Sequence, residues 1–214
     1  MPDDAYRRLA RLQDAVLEPL NGPLRDIAVR MVSPRVGMRV LDVGCGTGAQ
    51  LGRYVAADCD VAGIDVSPAM LGRARKRLGE AVDLRLGDAQ RLPFDDGMFD
   101  VVTATLVLHE LAPVTRDVVA KEMLRVLMDD GRLLVVDFHV GPLRVPQGWA
   151  MRGLSVTAEL MARHLQHSRA FLAEGGVPGL AQRLGVKVER TKVVAGGNMA
   201  LYLLSPENHK PDRR

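Results

Sequence analysis

The chain alternates between short apolar runs and longer segments in which apolar residues recur every three or four positions. The short runs predict buried strands, and the periodic segments predict amphipathic helices between them. The predicted strands are 38–43, 61–65, 82–86, 100–105 and 132–138, and the predicted helices are 47–57, 68–78 and 113–127. Strands that alternate with helices indicate a parallel, doubly wound α/β sheet.

Local signals refine these elements. The strand 82–86 alternates apolar and charged residues, which is typical of a strand at the edge of a sheet. Ser67 is a favourable N-cap, and Pro68 suits the first position of the helix that follows. Asp129-Asp130-Gly131 predicts a turn into the fifth strand.

The pattern changes at both ends of the chain. Residues 4–32 predict helices interrupted at Asn21-Gly22-Pro23. Apolar residues recur there at helical spacing: Leu9, Leu12, Val16 and Leu20. We expect a single domain over 1–214, with an N-terminal helical cap at 1–35 and a lid inserted at 141–175. The tail from Pro206 is polar and is expected to fray.

Residues 151–174 predict one amphipathic lid helix. Its apolar face is formed by Leu154, Ala158, Met161, Leu165 and Leu172. Its basic remainder is formed by Arg152, Arg163, His164, His167 and Arg169. Such a helix can rest on a lipid surface, although a solvated lid face is the more ordinary interpretation. Residues 186–194, a turn at 195–198 and residues 199–204 predict an antiparallel hairpin.

Residues 40–48 carry the strongest chemical signal in the chain. A strand that contains Asp42 runs directly into a turn with glycine at Gly44, Gly46 and Gly48. Glycines accept positive φ and let a ligand approach the backbone, and the N–H groups that open the next helix face the same place. The pattern predicts a nucleotide-binding turn. Its spacing differs from the G-x-G-x-x-G of dinucleotide-binding turns.

Four further segments follow this turn in order. They are Ala62-Gly63-Ile64-Asp65-Val66-Ser67-Pro68-Ala69-Met70-Leu71, Gly87-Asp88-Ala89 with Leu92-Pro93-Phe94, Phe99-Asp100-Val101-Val102, and 124–134. Together with the glycine turn they resemble the class I S-adenosylmethionine-dependent methyltransferases over roughly residues 36–140. The resemblance implies a Rossmann-like, seven-stranded sheet, mostly parallel with an antiparallel C-terminal hairpin and helices on both faces. It also implies S-adenosyl-L-methionine as the cofactor.

The resemblance implies a cofactor site on the carboxyl edge of the sheet. Its residues are Asp42, Gly44, Gly46, Gly48, Asp65, Val66, Met70, Asp88, Ala89 and Leu106. Asp65 is expected to accept hydrogen bonds from the ribose hydroxyls, or else to stabilise the start of the next helix. Asp88 is implied to bond the adenine amine, or is a turn aspartate. Met70 is expected against adenine, or in the core.

His109 and Glu110 follow the fourth strand, on the edge where ligands bind in open α/β sheets. His109 is a candidate general base for a hydroxyl, acidic carbon or ammonium acceptor, and a structural or capping histidine is the equal alternative. Glu110 either binds a cation or has no functional role. His139, which follows the fifth strand, is a weaker candidate base on the same edge.

Composition narrows the functional classes. The net charge is +3, and the chain shows no basic tract interleaved with aromatics and no base-flipping motif, which disfavours a nucleic-acid substrate. Cys45 and Cys59 are expected to be reduced thiols, and their spacing suggests no metal site. No apolar run reaches the length of a membrane span and no signal peptide is visible, so we expect a cytoplasmic protein.

We therefore expect transfer of a methyl group to a small-molecule or lipid-like acceptor through oxygen, nitrogen or carbon. Within the family the chain resembles the quinone-biosynthesis and phospholipid N-methyltransferase group, on the loop Leu108-His109-Glu110-Leu111 and the minimal cap. A cofactor-binding regulatory or interaction module without turnover is the alternative, and a nicotinamide oxidoreductase is a third, less favoured hypothesis. The acceptor and the oligomeric state cannot be predicted from the sequence.

Overall fold

The computed structural model describes residues 18–80, 82–162 and 165–207. Seven helices lie within them: α1 Glu18–Val32, α2 Ala49–Val55, α3 Pro68–Leu78, α4 Pro113–Val126, α5 Gln147–Ala162, α6 Leu165–Ala173 and α7 Gly176–Leu184. The strands are β1 Arg39–Val43, β2 Asp60–Asp65, β3 Asp83–Leu86, β4 Phe99–Thr105, β5 Leu127–Phe138, β6 Val186–Val194 and β7 Met199–Pro206. Short 3-10 turns occupy Leu108–Glu110 and Ala195–Gly197.

The strands form one seven-stranded sheet in the order β3-β2-β1-β4-β5-β7-β6. Strand β7 runs antiparallel to both β5 and β6, and the other described pairs are parallel. The predicted doubly wound sheet, its edge strand β3 and its C-terminal hairpin are confirmed. The strand order reverses between β1 and β4, and ligands of open α/β sheets bind at such a point.

Helix α1 corrects the predicted break at Asn21-Gly22-Pro23. The helix runs without interruption from Glu18 to Val32 with Pro23 inside it. Its side chains Leu24, Ala28 and Met31 are buried against Leu134, Val136, Leu201 and Leu203 of the sheet. Burial of this face outweighs the hydrogen bond that proline removes, as tertiary packing commonly outweighs local propensity. The predicted helical residues 4–17 lie outside the described residues.

The lid differs from the prediction in its extent and in the orientation of its first helix. Helix is described on both sides of residues 163 and 164, as α5 and α6, and the sequence interpretation missed α7. Leu154, expected on the buried face, is 57% exposed, whereas Arg152 is half-buried. Helix α5 is held by close approach of Gly148 to the Gly196 carbonyl and by polar contacts of Arg152 and Ser155, and Trp149, Leu154 and Val156 of this helix are exposed. Arg163 and His164 lie outside the described residues.

Two local predictions have different outcomes. The Ser67 hydroxyl accepts a hydrogen bond from the Met70 N–H at 3.3 Å and Pro68 opens α3, so the predicted cap is confirmed. The turn expected at Asp129-Asp130-Gly131 lies instead within β5, where the register with β4 shifts and the extra residues bulge. Among the described helices, none is both long and apolar enough to cross a membrane.

Candidate active site

The glycine turn that follows β1 has a backbone that only glycine accommodates well. Gly44, Gly46 and Gly48 have φ values of 69°, 53° and 73°. A Cβ at Gly44 would lie 2.5 Å from a methyl group of Val107, and one at Gly48 would lie 2.8 Å from Leu78. The turn is therefore shaped as the sequence predicted, and Val107 brings the segment after β4 against it.

Asp65 ties the end of β2 to the glycine turn. Its Oδ2 accepts a hydrogen bond from the Gly46 N–H at 2.8 Å, and its Oδ1 accepts one from the Ser67 N–H at 2.9 Å. The carboxylate thus braces the turn and also caps the start of α3, which is the alternative role considered from the sequence. A carboxylate oxygen has two lone-pair sites, so these bonds leave acceptor capacity for ribose hydroxyls.

Asp42 is buried beneath the turn. Its Oδ1 accepts a hydrogen bond from the Thr103 hydroxyl of β4 at 2.6 Å. Burial raises the pKa of Asp42 from its ordinary 3.8 to about 6, although the Thr103 bond and the positive charge of Arg25 oppose the rise. Gln50, in the first turn of α2, is also buried, and neither of its amide atoms has a partner among the described residues. The unmet Gln50 amide fits a cofactor that has a polar end.

The residues expected around adenine lie at the ends of β2 and β3. Val66 is 59% exposed, and Met70 is buried in the first turn of α3. The exposed Asp88 accepts hydrogen bonds from the backbone and side-chain amides of Gln90, as a turn aspartate does, and its neighbour Ala89 packs on the main core. The Gly87 N–H donates to the Asp65 carbonyl at 3.1 Å, so these two strand ends are held together.

His109 lies in the 3-10 turn after β4 and is buried. Its Nδ1 is 2.6 Å from Asp137 Oδ1 of β5, and its backbone N–H donates to Asp137 Oδ2 at 3.2 Å. Its ring packs on Phe138, with centroids 4.4 Å apart. Asp137 therefore fixes the orientation of the His109 ring through Nδ1. The sequence interpretation missed Asp137, although an acid inside an apolar strand was a usable signal.

The backbone before His109 is strained. Leu106 has a φ of 58°, a left-handed conformation that is costly for a leucine, and its N–H donates to the Val136 carbonyl at 2.8 Å. Such outliers persist where surrounding structure holds them, and they cluster at functional sites. The predicted cofactor residue Leu106 therefore lies at a strained backbone position between β4 and the 3-10 turn that carries His109.

Arg116 and His167 clamp this turn to the lid. Arg116 is fully buried, and its guanidinium donates to the carbonyls of Leu108 and Leu111 and to Glu174 Oε2, which follows α6. His167 Nδ1 of α6 contacts the Glu110 carbonyl at 2.8 Å. The contacts of Arg116 with Glu174 and of His167 with Glu110 were not foreseen, because each joins elements that are distant in sequence. Glu110 contacts the lid through its backbone carbonyl.

His139 is placed less favourably for proton transfer. Its Nδ1 is 2.7 Å from the Tyr202 hydroxyl, and a side chain at Gly141 would collide with its Nε2. Burial and the charge of Arg152 hold the pKa of His139 below its ordinary range, and burial raises the pKa of Tyr202 to about 12. Both groups therefore stay uncharged at neutral pH.

The described residues contain no group of three or more His, Cys, Asp and Glu side chains that could hold a metal ion. Cys45 and Cys59 are both free thiols, as expected.

Comparison with known proteins decides the family. The methyltransferase domain family matches residues 41–135. A demethylmenaquinone methyltransferase of Parafrankia sp. is 36% identical, with 80% of this chain and 76% of that protein covered. The chain belongs to the S-adenosylmethionine-dependent methyltransferases. It is therefore an enzyme of this family, and its cofactor is S-adenosylmethionine.

Further relatives agree with this placement. A demethylmenaquinone methyltransferase of Beutenbergia cavernae is 34% identical over 66% of this chain, and the match spans only 58% of that relative. A solved S-adenosylmethionine-dependent methyltransferase from Aquifex aeolicus superposes with a TM-score of 0.59 at 19% identity, covering 84% of this chain and 88% of that one. The structural likeness shows that the methyltransferase shares the family fold.

Proposed function

We propose that this methyltransferase transfers a methyl group to a small-molecule or lipid-like acceptor of the quinone class. The observation that carries the proposal is the contact between Asp65 Oδ2 and the Gly46 N–H, which joins the glycine turn to the acid of β2 at the edge of the sheet. The names of the two demethylmenaquinone methyltransferases support a reduced quinone as the acceptor. Peripheral contact with a membrane would suit such an acceptor and is part of the proposal.

Each cofactor residue has a proposed role that follows from its position in the site. Gly44, Gly46 and Gly48 would admit the cofactor close to the backbone, and Asp65 would accept hydrogen bonds from the ribose hydroxyls. Val66, Met70, Asp88 and Ala89 would enclose adenine, while Leu106 and Asp42 would bound the end nearest the acceptor. When bound, S-adenosylmethionine supplies a methyl group on a positively charged sulfur, and transfer to the acceptor breaks the methyl–sulfur bond with the electron pair left on sulfur.

The chain itself has a limited chemical task, which is to orient the acceptor, exclude water and hold a proton. His109 would accept the acceptor proton at Nε2, because Asp137 binds Nδ1 and stabilises the imidazolium that forms. Holding the nucleophile in line, at about 3 Å from the methyl carbon, is the larger part of the rate enhancement for such a reaction. The lid helices α5 and α6 would keep water out.

A labelled-methyl assay tests this function. The protein is incubated with isotopically labelled S-adenosylmethionine and a panel of reduced quinones, phospholipids and polar metabolites, and products are identified by mass. We expect a one-methyl mass increase on a reduced quinone. Tight binding of S-adenosylhomocysteine without a methylated product from any acceptor would support a binding module instead.

A further inference from the structure

A polar cluster beneath α5, here called the lid cluster, contains two buried atoms without hydrogen-bond partners. It consists of Arg152, Ser155, His139, Tyr202 and Asn198. Arg152 Nη2 donates to the His139 carbonyl at 3.1 Å, and Asn198 Nδ2 donates to the Ser155 hydroxyl at 2.9 Å. Within the described residues, Arg152 Nε and Asn198 Oδ1 contact no partner.

These two atoms belong to neighbouring positions. The His139 N–H donates to the Asn198 carbonyl at 3.0 Å, so the residues that Arg152 and Ser155 bind are adjacent across the ladder of β5 and β7. Arg152 and Ser155 are three residues apart on α5 and therefore share a helix face. The unpartnered donor belongs to α5 and the unpartnered acceptor to the residue before β7, so both lie at the interface between α5 and the sheet.

The lid cluster also lies beside the candidate base. The Arg152 guanidinium carbon is 5.7 Å from the centre of the Phe138 ring, and the His109 ring centre is 4.4 Å from the same point. Arg152 and His109 therefore both lie against the Phe138 ring. No other part of the proposed function uses Arg152 or Asn198.

Buried polar atoms are rarely left without partners, because each loses its hydrogen bonds to water and gains none in return. Asn198 is completely buried, so its Oδ1 cannot recover this loss from solvent. A charged donor and a neutral acceptor at one interface match a ligand that presents both an electron-rich oxygen and a hydroxyl group.

We propose that Arg152 and Asn198 bind the methyl acceptor, with Arg152 Nε–H donating to an ionised ring oxygen and Asn198 Oδ1 accepting from a second hydroxyl. This pair of groups fits a dihydroxyaromatic molecule, the reduced form of the quinone class proposed above. The assignment rests on the proposed function and names the residues that would hold its acceptor. Arg152 favours the ionised form, in which the ring is a stronger nucleophile towards a methyl group.

Helix α5 must move outward for the acceptor to reach these atoms. The side of this helix away from the lid cluster exposes Trp149 at 65% and Leu154 at 57%. Apolar side chains that are exposed contribute little burial to hold a helix in place.

Binding of two naphthols tests the proposal. The probes are 1-naphthol and 1,4-naphthalenediol, kept without oxygen, with the enzyme saturated by S-adenosylhomocysteine. Loss of a charge-assisted hydrogen bond predicts that Arg152→Met weakens both probes by roughly tenfold or more. The apparent pKa of bound 1-naphthol, read from naphtholate absorbance, should be higher in Arg152→Met than in the parent. Asn198→Ala should weaken the diol by roughly fivefold and leave 1-naphthol unchanged.

Matched controls on the lid are Arg169→Met and Gln166→Ala, two exposed residues of α6, and both should bind the probes like the parent. Thermal melting and S-adenosylhomocysteine binding check the fold of each variant, and Arg152→Met decides alone if Asn198→Ala does not fold. The proposal would be overturned if Arg152→Met bound 1-naphthol with the affinity and the naphtholate absorbance of the parent protein. It would also be overturned if the parent protein bound no naphthol. Failure of the parent protein to bind S-adenosylhomocysteine would instead refute the proposed function.

Discussion

Arg116 Nη1 donates a hydrogen bond to Glu174 Oε2 at 2.7 Å and so joins α4 to the end of α6. The same guanidinium donates to two carbonyls of the 108–111 turn, at 2.9 and 2.8 Å. It also stacks over Phe171, at 4.8 Å from the ring centre. A single side chain therefore fixes the turn that carries His109 relative to the lid.

Replacing Arg116 should damage the fold. Arg116→Met removes one of the two arginine partners of Glu174 and the donor to three carbonyls, those of Leu108, Leu111 and His167. Each buried acceptor left unsatisfied costs about 1–3 kcal/mol. Urea unfolding should show that loss of stability. Arg183 provides the matched control: it contacts the same Glu174 at 3.5 Å but is exposed, so Arg183→Met should cost less than about 1 kcal/mol. Equal losses in the two variants would contradict the clamp.

Asp65 should matter for cofactor binding. Asp65→Asn keeps a side-chain oxygen for one of the two backbone N–H groups but loses the charge. We expect affinity for S-adenosylhomocysteine to fall by about 1–3 kcal/mol, the range for a charged hydrogen-bonding partner. Calorimetry measures this, and Asp60→Asn, at the exposed opposite end of β2, is the control. An unchanged dissociation constant would mean that Asp65 only braces the glycine turn and caps the start of α3.

His109 should act in turnover and not in cofactor binding. His109→Ala should lower the rate by roughly 10²-fold or more with cofactor affinity nearly intact, as expected for loss of a general base. Asp137→Asn should lower the rate as well, because the amide no longer stabilises the protonated ring. The comparison requires an acceptor from the methyl-transfer assay. Equal rates in parent and His109→Ala would mean that positioning of an already nucleophilic acceptor suffices.

Asp42 should make stability depend on pH. Its folded-state pKa of about 6 exceeds its ordinary 3.8, so the folded protein holds an extra proton between these values. Stability therefore falls as pH rises from 3.8 to 6, and the cost persists above 6. Asp42→Asn should be more stable than the parent by about 1–3 kcal/mol at pH 8, with the difference fading near pH 4.

Urea unfolding of both proteins at the two pH values gives that difference directly, without the cofactor. Asp129→Asn, an exposed acid in β5, is the control and should show no such gain. A constant difference between Asp42→Asn and the parent at both pH values would assign the effect to packing and not to the proton.

The parts of the fold that the sequence predicted are those with a local cause. Gly44 and Gly48 require positive φ, Ser67 caps α3 through its own hydroxyl, and the alternation of strands with helices sets the parallel sheet. Each of these follows from residues within one turn or one strand. The site residues near the glycine turn were accordingly brought together as expected, although their contacts with the cofactor stay predictions.

The rest depends on long-range contacts that no local pattern contains. Pro23 indicated a helix break, but burial of Leu24 and Ala28 against the sheet keeps α1 continuous. The lid helix α5 turns Arg152 inward because His139 offers a carbonyl there. Likewise Asp137 becomes the partner of His109 only when β5 lies beside β4. Sequence periodicity alone therefore placed Leu154 on the buried side of α5, where the structure has Arg152.

The reactivity of Cys45 reports whether the glycine turn is open or closed. The residue lies between Gly44 and Gly46, its side chain is buried, and burial raises the pKa of its thiol well above the ordinary range. Thiols react with alkylating reagents as thiolates, so Cys45 is inert while the turn keeps this conformation. Alkylation of Cys45 thus measures how often the turn opens. A ligand that holds the turn shut should slow that labelling in proportion to its occupancy.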